Sequence, residues 1–364
     1  MTELLTAADE SAALEDLHLR GCTDGLPVVI PTPARVERMV LASGQDADMV
    51  LGTMGPGHGI ATMEKVAVAA VMAGCLPDYM PVVVAAAKAV IDPVFDLTEM
   101  QATTHCTAPL IIVNGPARNT CGPISSSYGA LGPGHRANAS IGRALRLAMI
   151  NIGGGRPGSS DMALLGHPGK FTYCLAENEE DSPFPPLHTT LGYGEEESVV
   201  TVIGAEAPHS VIASADGDDA DGYKYLLNVL AVGLANAATN NATLTSGTAV
   251  VVLNPDHANL LAGAGLTRED VQAELHQRCK IDVAALRQMV PHFSGGPNSS
   301  GDRYAFTGPD QILILMAGGS GLYSMVMPSW CAGNHKNSPS SVAVESDFFC
   351  EVPGLAALAD STTA

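Results

Sequence analysis

The residues best suited to chemistry in this chain sit on glycine-bordered turns. From Asn138 to Pro186 a helical stretch ends in Gly153-Gly154-Gly155, and two further turns follow. One carries His167, Pro168, Gly169 and Lys170; the other carries Cys174, Glu177, Asn178, Glu179 and Glu180. Loops held by a rigid scaffold supply most binding and catalytic groups. Pro168 and Gly169 fix a turn that presents the Lys170 ammonium in one direction, with His167 beside it as a substrate contact. Such a lysine neutralises an anionic substrate, or acts as a base when burial lowers its pKa. Glu177, seven residues on, is placed to pair with Lys170 and orient it. Arg143 and Arg146 share one helix face. Arg143 is the expected carboxylate or phosphate clamp, with Asn138 near the helix start as a second substrate contact.

Two thiols stand out. Cys75 follows Gly74 at a helix end, and Cys106 lies in Thr103-Thr104-His105-Cys106-Thr107. A cysteine near a histidine can become a thiolate nucleophile, although free cysteine is also among the most frequently buried residues. The two thiols are equal candidates on these grounds, with His58 as the expected acid–base group; Cys331, in SWCAGNH, is a lesser candidate. The junction of the apolar run Asp310 to Met316 with Gly318, Gly319, Ser320 and Gly321 reads as an oxyanion loop that includes Ser324. Glycines after a strand let N–H groups converge, and a following helix would add its positive end. The Walker lysine and the G-x-G-x-x-G spacing are both missing. No metal is expected, because His58, His105, His135, His167 and Cys106 form no H-x-x-x-H or H-E-x-x-H helix. The acidic loop Ala215 to Gly222 lacks the EF-hand glutamate. The cofactor is unknown, since no motif names one.

Eighteen lysines and arginines against 38 aspartates and glutamates leave a net charge of −20. That balance argues against nucleic acid and anionic membrane surfaces as partners, because both need clustered cations. A small-molecule substrate is the expected partner. Apolar residues make up 46% of the chain and charged residues 15%, with 38 glycines. So few charges on so much small-residue surface point to a homo-oligomer, or to a partner subunit. The longest apolar stretch, Val82 to Ile91, is too short to span a membrane and contains Lys88. The opening residues lack the basic and apolar regions of a signal peptide. Eight cysteines without a C-x-x-C pair suit reduced thiols, so the expected location is cytoplasmic.

The positioning elements follow from periodicity. Ala61 to Ala73 and Met80 to Val90 read as helices, the first stopped by Gly74. Pro109 to Val113, Val199 to Gly204, Thr248 to Leu253 and Asp310 to Met316 read as strands. Thr267 to Arg278 is a helix opened by Thr267-Arg268-Glu269-Asp270, a capping signature. His292 to Pro309 is a long polar loop and a candidate lid. Gly55-Pro56-Gly57-His58 and Gly132-Pro133-Gly134-His135 each precede a helix, which invites an internal repeat. The expected fold class is α/β: a larger Gly/Ala-rich N-terminal region (1–240) carrying most of the site, and a smaller C-terminal α/β domain (241–364) with parallel strands and the glycine loop.

Several phrases, among them NGPARN, ANASIGRALRLAMINIGG, GHPGKFTYCLAENEEDSPF and LMAGGSGLYS, resemble the UGSC family of (seleno)proteins, over most of the chain up to about Ser324. The resemblance brings no established reaction, but a selenocysteine-containing relative implies thiol-level redox chemistry. The chain departs from the family pattern at TTHCTAP, which counts against Cys106 and in favour of Cys75. The expected function is an enzyme acting on a small anionic molecule by thiol-assisted redox or carbon–heteroatom bond chemistry. Alternatives are a hydrolase or lyase working through Lys170 and Glu177, and a non-catalytic ligand-binding subunit.

Overall fold

The computed structural model describes residues 4–214, 219–237, 239–293 and 300–345, so the acidic loop and the candidate lid lie partly outside the described residues. In chain order the first elements are α1 (Glu10–Leu19), α2 (Pro33–Ala42), β1 (Val50–Met54), β2 (Gly59–Thr62), α3 (Met63–Ala73), α4 (Met80–Ile91) and α5 (Leu97–Ala102). Then come β3 (Ala108–Asn114), α6 (Ala117–Thr120), α7 (Arg136–Asn151), β4 (Cys174–Ala176), α8 (Leu187–Thr190), β5 (Val199–Ala205) and β6 (His209–Ile212). The remainder is α9 (Gly222–Leu234), α10 (Asn240–Leu244), β7 (Ala249–Leu253), α11 (Pro255–Gly263), α12 (Arg268–Arg278), β8 (Lys280–Asp282) and α13 (Val283–Met289). The last strands are β9 (Asp302–Tyr304), β10 (Ile312–Met316), β11 (Tyr323–Met327) and β12 (Ser340–Ala343).

Two mixed sheets of four strands form the centre, ordered β12-β5-β3-β4 and β10-β7-β11-β6. Their inner strands are buried on both faces, which is why β3 and β7 read as unbroken apolar runs. Alternate residues of β3 divide between two cores. Ile111 and Val113 pack with α3, α4 and α7, while Leu110 and Ile112 face the other sheet. In β7, Val250 and Val252 meet them, and Val251 and Leu253 turn to α9 and α12. The result is an α/β molecule of four layers: helices, sheet, sheet, helices.

The strand registers reveal a duplication that the glycine turns did not announce. β3 pairs parallel with β4 at an offset of 63 residues (Ile111 opposite Cys174), and β7 pairs parallel with β10 at the same offset (Ala249 opposite Ile312). Each central strand also has an antiparallel neighbour, β5 on β3 and β11 on β7. Matching Asn114 to Asn254 carries Ala205 onto Ser329, and those two residues are bridged to each other. Equivalent residues pair in that way on a local twofold axis. The fourth strands are exchanged: β6, which follows β5, joins β11, and β12, which follows β11, joins β5.

This exchange corrects the expected division at 240. α9 and β6 belong with the second sheet and β12 with the first. The two Gly-Pro-Gly-His turns also differ locally. Gly55–Pro56 is cis at the tip of the β1–β2 hairpin, whereas residues 132–135 run directly into α7. The helices after them, α3 and α7, do pack together. No helix among the described residues is long and apolar enough to cross a membrane.

Candidate functional site

Because β3 and β4 run parallel, the loops that precede them are neighbours at one end of the sheet. The first loop is Thr103 to Thr107; the second ends in the turn Pro168–Lys170. Lys170 Nζ donates to Asp161 Oδ1 at 2.8 Å and reaches the Thr107 carbonyl at 3.4 Å. Arg146, from α7, holds the same loop by donating from Nε to the Lys170 carbonyl at 2.6 Å. Its Nη1 lies 3.4 Å from Asp161 Oδ2 and 3.3 Å from Gln101 Oε1. His167 accepts the Gly169 N–H on Nδ1 at 3.1 Å, so Nε2 carries the proton donated to the Ala205 carbonyl at 3.3 Å. Cys106 Sγ accepts the Gly166 N–H at 3.2 Å. His105 Nε2 stands 2.7 Å from Glu206 Oε1. Its Nδ1 is buried without a partner among the described residues.

Burial drives the electrostatics of this cluster. It lowers the Lys170 pKa against the opposing pull of the Asp161 carboxylate. It lowers His167 to about 4, with Lys170 adding to the effect against the Ala205 carbonyl, and so keeps the ring neutral. The Cys106 sulfur is a minor further influence that raises the ammonium pKa. The other thiols behave differently. Burial pushes Cys121 up to about 11, Cys279 and Cys331 to about 12, and Cys75 and Cys174 further still. Among the described cysteines only Cys22 and Cys106 are half-buried, and of these Cys106 has the N–H donor.

The duplication supplies an internal control. Cys106 corresponds to Ser246, His105 to Thr245 and Glu206 to Trp330. In the second unit Ser246 Oγ donates to the Cys331 carbonyl at 3.1 Å, and Trp330 is buried among the core residues of the first unit. The positions that carry Cys, His and Glu in one unit thus carry Ser, Thr and Trp in the other.

Several expected site residues lie elsewhere. Cys75 is buried just past Gly74, the left-handed cap of α3. His58 is exposed on the hairpin tip before that helix. Eleven residues of helix, about 16 Å, separate the two, so they form no catalytic pair. Arg143 is already occupied: Nε and Nη2 bond Asp24 at 2.7 and 2.8 Å, and Nη2 also reaches the Pro27 carbonyl at 2.9 Å. Asn138 is a buried staple that bonds both backbone groups of Ser125 and the carbonyls of Ala130 and Cys174.

The glycine loop is likewise not an anion cradle, because a strand follows it rather than a helix. Gly318 N–H donates to the Ser126 carbonyl and Gly321 N–H to Asp256 Oδ2, while Gly319 lies against the Tyr128 ring. Ser320 is exposed on that loop. Ser324 is buried on β11, 2.7 Å from His257 Nδ1 and accepting the Asn254 N–H at 3.1 Å.

Glu177 lies at the opposite, carboxyl ends of β3 and β4, with all of β4 between it and Lys170. Its oxygens accept from Arg268 Nη2 at 2.9 Å, Asn114 Nδ2 at 2.6 Å and the Leu187 N–H at 2.7 Å. Glu177 is 0% and Arg268 1% exposed. Burial pushes the carboxyl up while Arg268, Leu187 and Asn114 pull it down; three donors on two oxygens are the pattern of an ionised carboxylate. Arg118 completes the network by pairing with Glu179 at 3.0 Å and Glu180 at 2.8 Å. The network ties the loops after β3 and β4 to α12 of the other unit.

Asp161, Arg146 and Glu206 were not singled out as site residues from the sequence. The one available signal for Glu206 was its position directly after the buried strand VVTVIGA. Among the described residues, no group of three or more His, Cys, Asp or Glu side chains is placed to hold a metal ion. No family model, curated protein or solved structure matches this chain.

Proposed function

We propose that this chain is an enzyme whose active site is the cluster at the amino ends of β3 and β4, with Cys106 as its nucleophile. One observation carries the reading: Cys106 alone among the described thiols combines partial exposure, an N–H donor on sulfur and a place next to Thr107, whose carbonyl lies 3.4 Å from the Lys170 ammonium. The sulfur attacks an electrophilic carbon of a small organic substrate, forming a C–S bond and moving an electron pair onto the attached oxygen. His105, the neighbouring residue whose Nε2 stands 2.7 Å from Glu206 Oε1, gives or takes the proton, as a base oriented by a third group does.

The resemblance to the UGSC family favours a thiol-centred reaction in general but points to Cys75, which is buried past the far end of α3 from His58. The choice of Cys106 therefore rests on the geometry alone; a cytoplasmic setting would keep the thiol reduced. An anionic substrate is not required, because Arg143 and Lys170 are each paired with a carboxylate. The Lys170–Glu177 alternative has no support in the geometry, since β4 separates the two. Incubation with a panel of small carbonyl electrophiles, followed by intact and peptide mass spectrometry, tests the proposal. The adduct should map to Cys106, persist in Cys75→Ser and vanish in Cys106→Ser; an adduct on another thiol, or one that survives Cys106→Ser, refutes it.

A further inference from the structure

The loop that carries Asp161 and Gly166 also presents an apolar knob. Leu164 and Leu165 are 78% and 93% exposed, and Met162 and Phe171 beside them are exposed as well. The backbone beneath is pinned: Met162 N–H donates to the Gln101 carbonyl at 3.0 Å, Leu164 N–H to the Thr104 carbonyl at 3.1 Å, and Gly166 N–H to Cys106 Sγ. Two leucines held outward on a fixed loop form a preorganised anchor, for which little ordering entropy remains to be lost.

The adjoining face holds a cleft of about 1100 Å³ between α1, α2 and α3, walled by Leu5, Leu17, Val36, Val40 and Met72. No residue of α1 is fully buried, and its Ala13 and Leu17 are half-buried where they line the cleft. Five carboxylates (Asp9, Glu10, Asp16, Glu37, Glu64) line it against Arg35 and Lys65. The stretch from Arg136 to Tyr173 that carries the knob has the opposite charge. Within it Arg143 is paired with Asp24, and Arg146 and Lys170 with Asp161, which leaves Arg136 and Arg156 exposed with no carboxylate partner among the described residues, in a chain of net charge −20. An apolar knob with basic flanks matches an apolar cleft with an acidic rim.

Knob and cleft are also neighbours. Asn151 and Ile152 line the end of the cleft, and Arg156 donates to the Gly21 carbonyl just beyond α1. We propose that a second copy of this chain docks on this face, the Leu164–Leu165 loop of each protomer entering the α1–α2–α3 cleft of the other about a twofold axis. Side-by-side placement lets the insertion be reciprocal, so the assembly closes at two instead of growing into a filament.

Sedimentation across the micromolar range should give twice the 37.4 kDa chain mass. Leu164→Glu/Leu165→Glu should weaken the dimer about 100-fold or more, since each leucine leaves its burial site. Both positions are exposed, so the circular dichroism of the double variant should match the parent. Glu37→Lys, on the cleft rim, should weaken the dimer independently of the knob. A photo-crosslinker at position 165, in mixed light and heavy chains, should join the two chains within residues 4–40. A monomeric parent, a double variant that dimerises as the parent does, an unaffected Glu37→Lys, or cross-links to any other segment (including residues 346–364) would overturn the proposal.

Discussion

Replacing Glu177 by alanine is the sharpest perturbation of the structural frame. The change removes the acceptor for Arg268 Nη2, Asn114 Nδ2 and the Leu187 N–H in one step. Arg268 Nε and Nη1 already lack partners among the described residues, so the substitution leaves a buried guanidinium with no described counter-charge in contact. Breaking one side of a buried ion pair costs about 3–5 kcal/mol. At about 2.1 cal/mol/K per residue, a chain of 364 residues has an unfolding entropy near 0.8 kcal/mol/K, so Tm should fall by about 4–7 °C. Urea unfolding and calorimetry read both quantities. The double variant Glu177→Leu/Arg268→Leu should recover most of the loss, because it removes the stranded charge together with its partner. A loss below about 1 kcal/mol in Glu177→Ala, or a double variant no better than the single one, would refute the assignment of this pair as the joint between units.

Acid should destabilise the protein through His167. Burial holds its folded-state pKa at about 4, below the usual histidine value near 6.5, so the neutral ring is the folded form. Its contribution is complete above about pH 6.5 and is lost as pH falls toward 4, worth on the order of 1–2 kcal/mol after allowance for solvent at a half-buried ring. Unfolding free energies measured over that window should lose this increment in His167→Gln. Arg143→Ala should loosen the segment around Asp24 by about 1–2 kcal/mol, because it removes a paired guanidinium, while leaving Cys106 alkylation unchanged. Faster proteolysis near Asp24 with unaltered thiol reactivity is the expected pattern, and altered thiol reactivity would return Arg143 to the site.

Local signals carried much of the fold. The apolar runs that became β3, β7 and β10 needed only length and β-branching to be read as buried strands. Thr267 and Asp270 form the reciprocal cap that opens α12, and Gly74 takes the left-handed position that ends α3. The strand exchange had no such signal, since β6 and β12 are four-residue strands that alternate little and are fixed by partners far along the chain. The site failed for the same reason. Arg143 and Glu177 looked free because Asp24 and Arg268 lie 119 and 91 residues away. Cys75 and Cys106 differ in burial and surroundings, which tertiary packing decides and local sequence does not.

Site-resolved alkylation tests the central claim most directly. Native protein treated with iodoacetamide at neutral pH, quenched over time and mapped by peptide mass spectrometry, gives a rate for every cysteine. Cys106 should react about tenfold or more faster than Cys75, Cys121, Cys174, Cys279 and Cys331, and Lys170→Met should slow Cys106 alone. Equal rates across the thiols, or a fast Cys75 indifferent to Lys170, would contradict an active site built on the amino ends of β3 and β4.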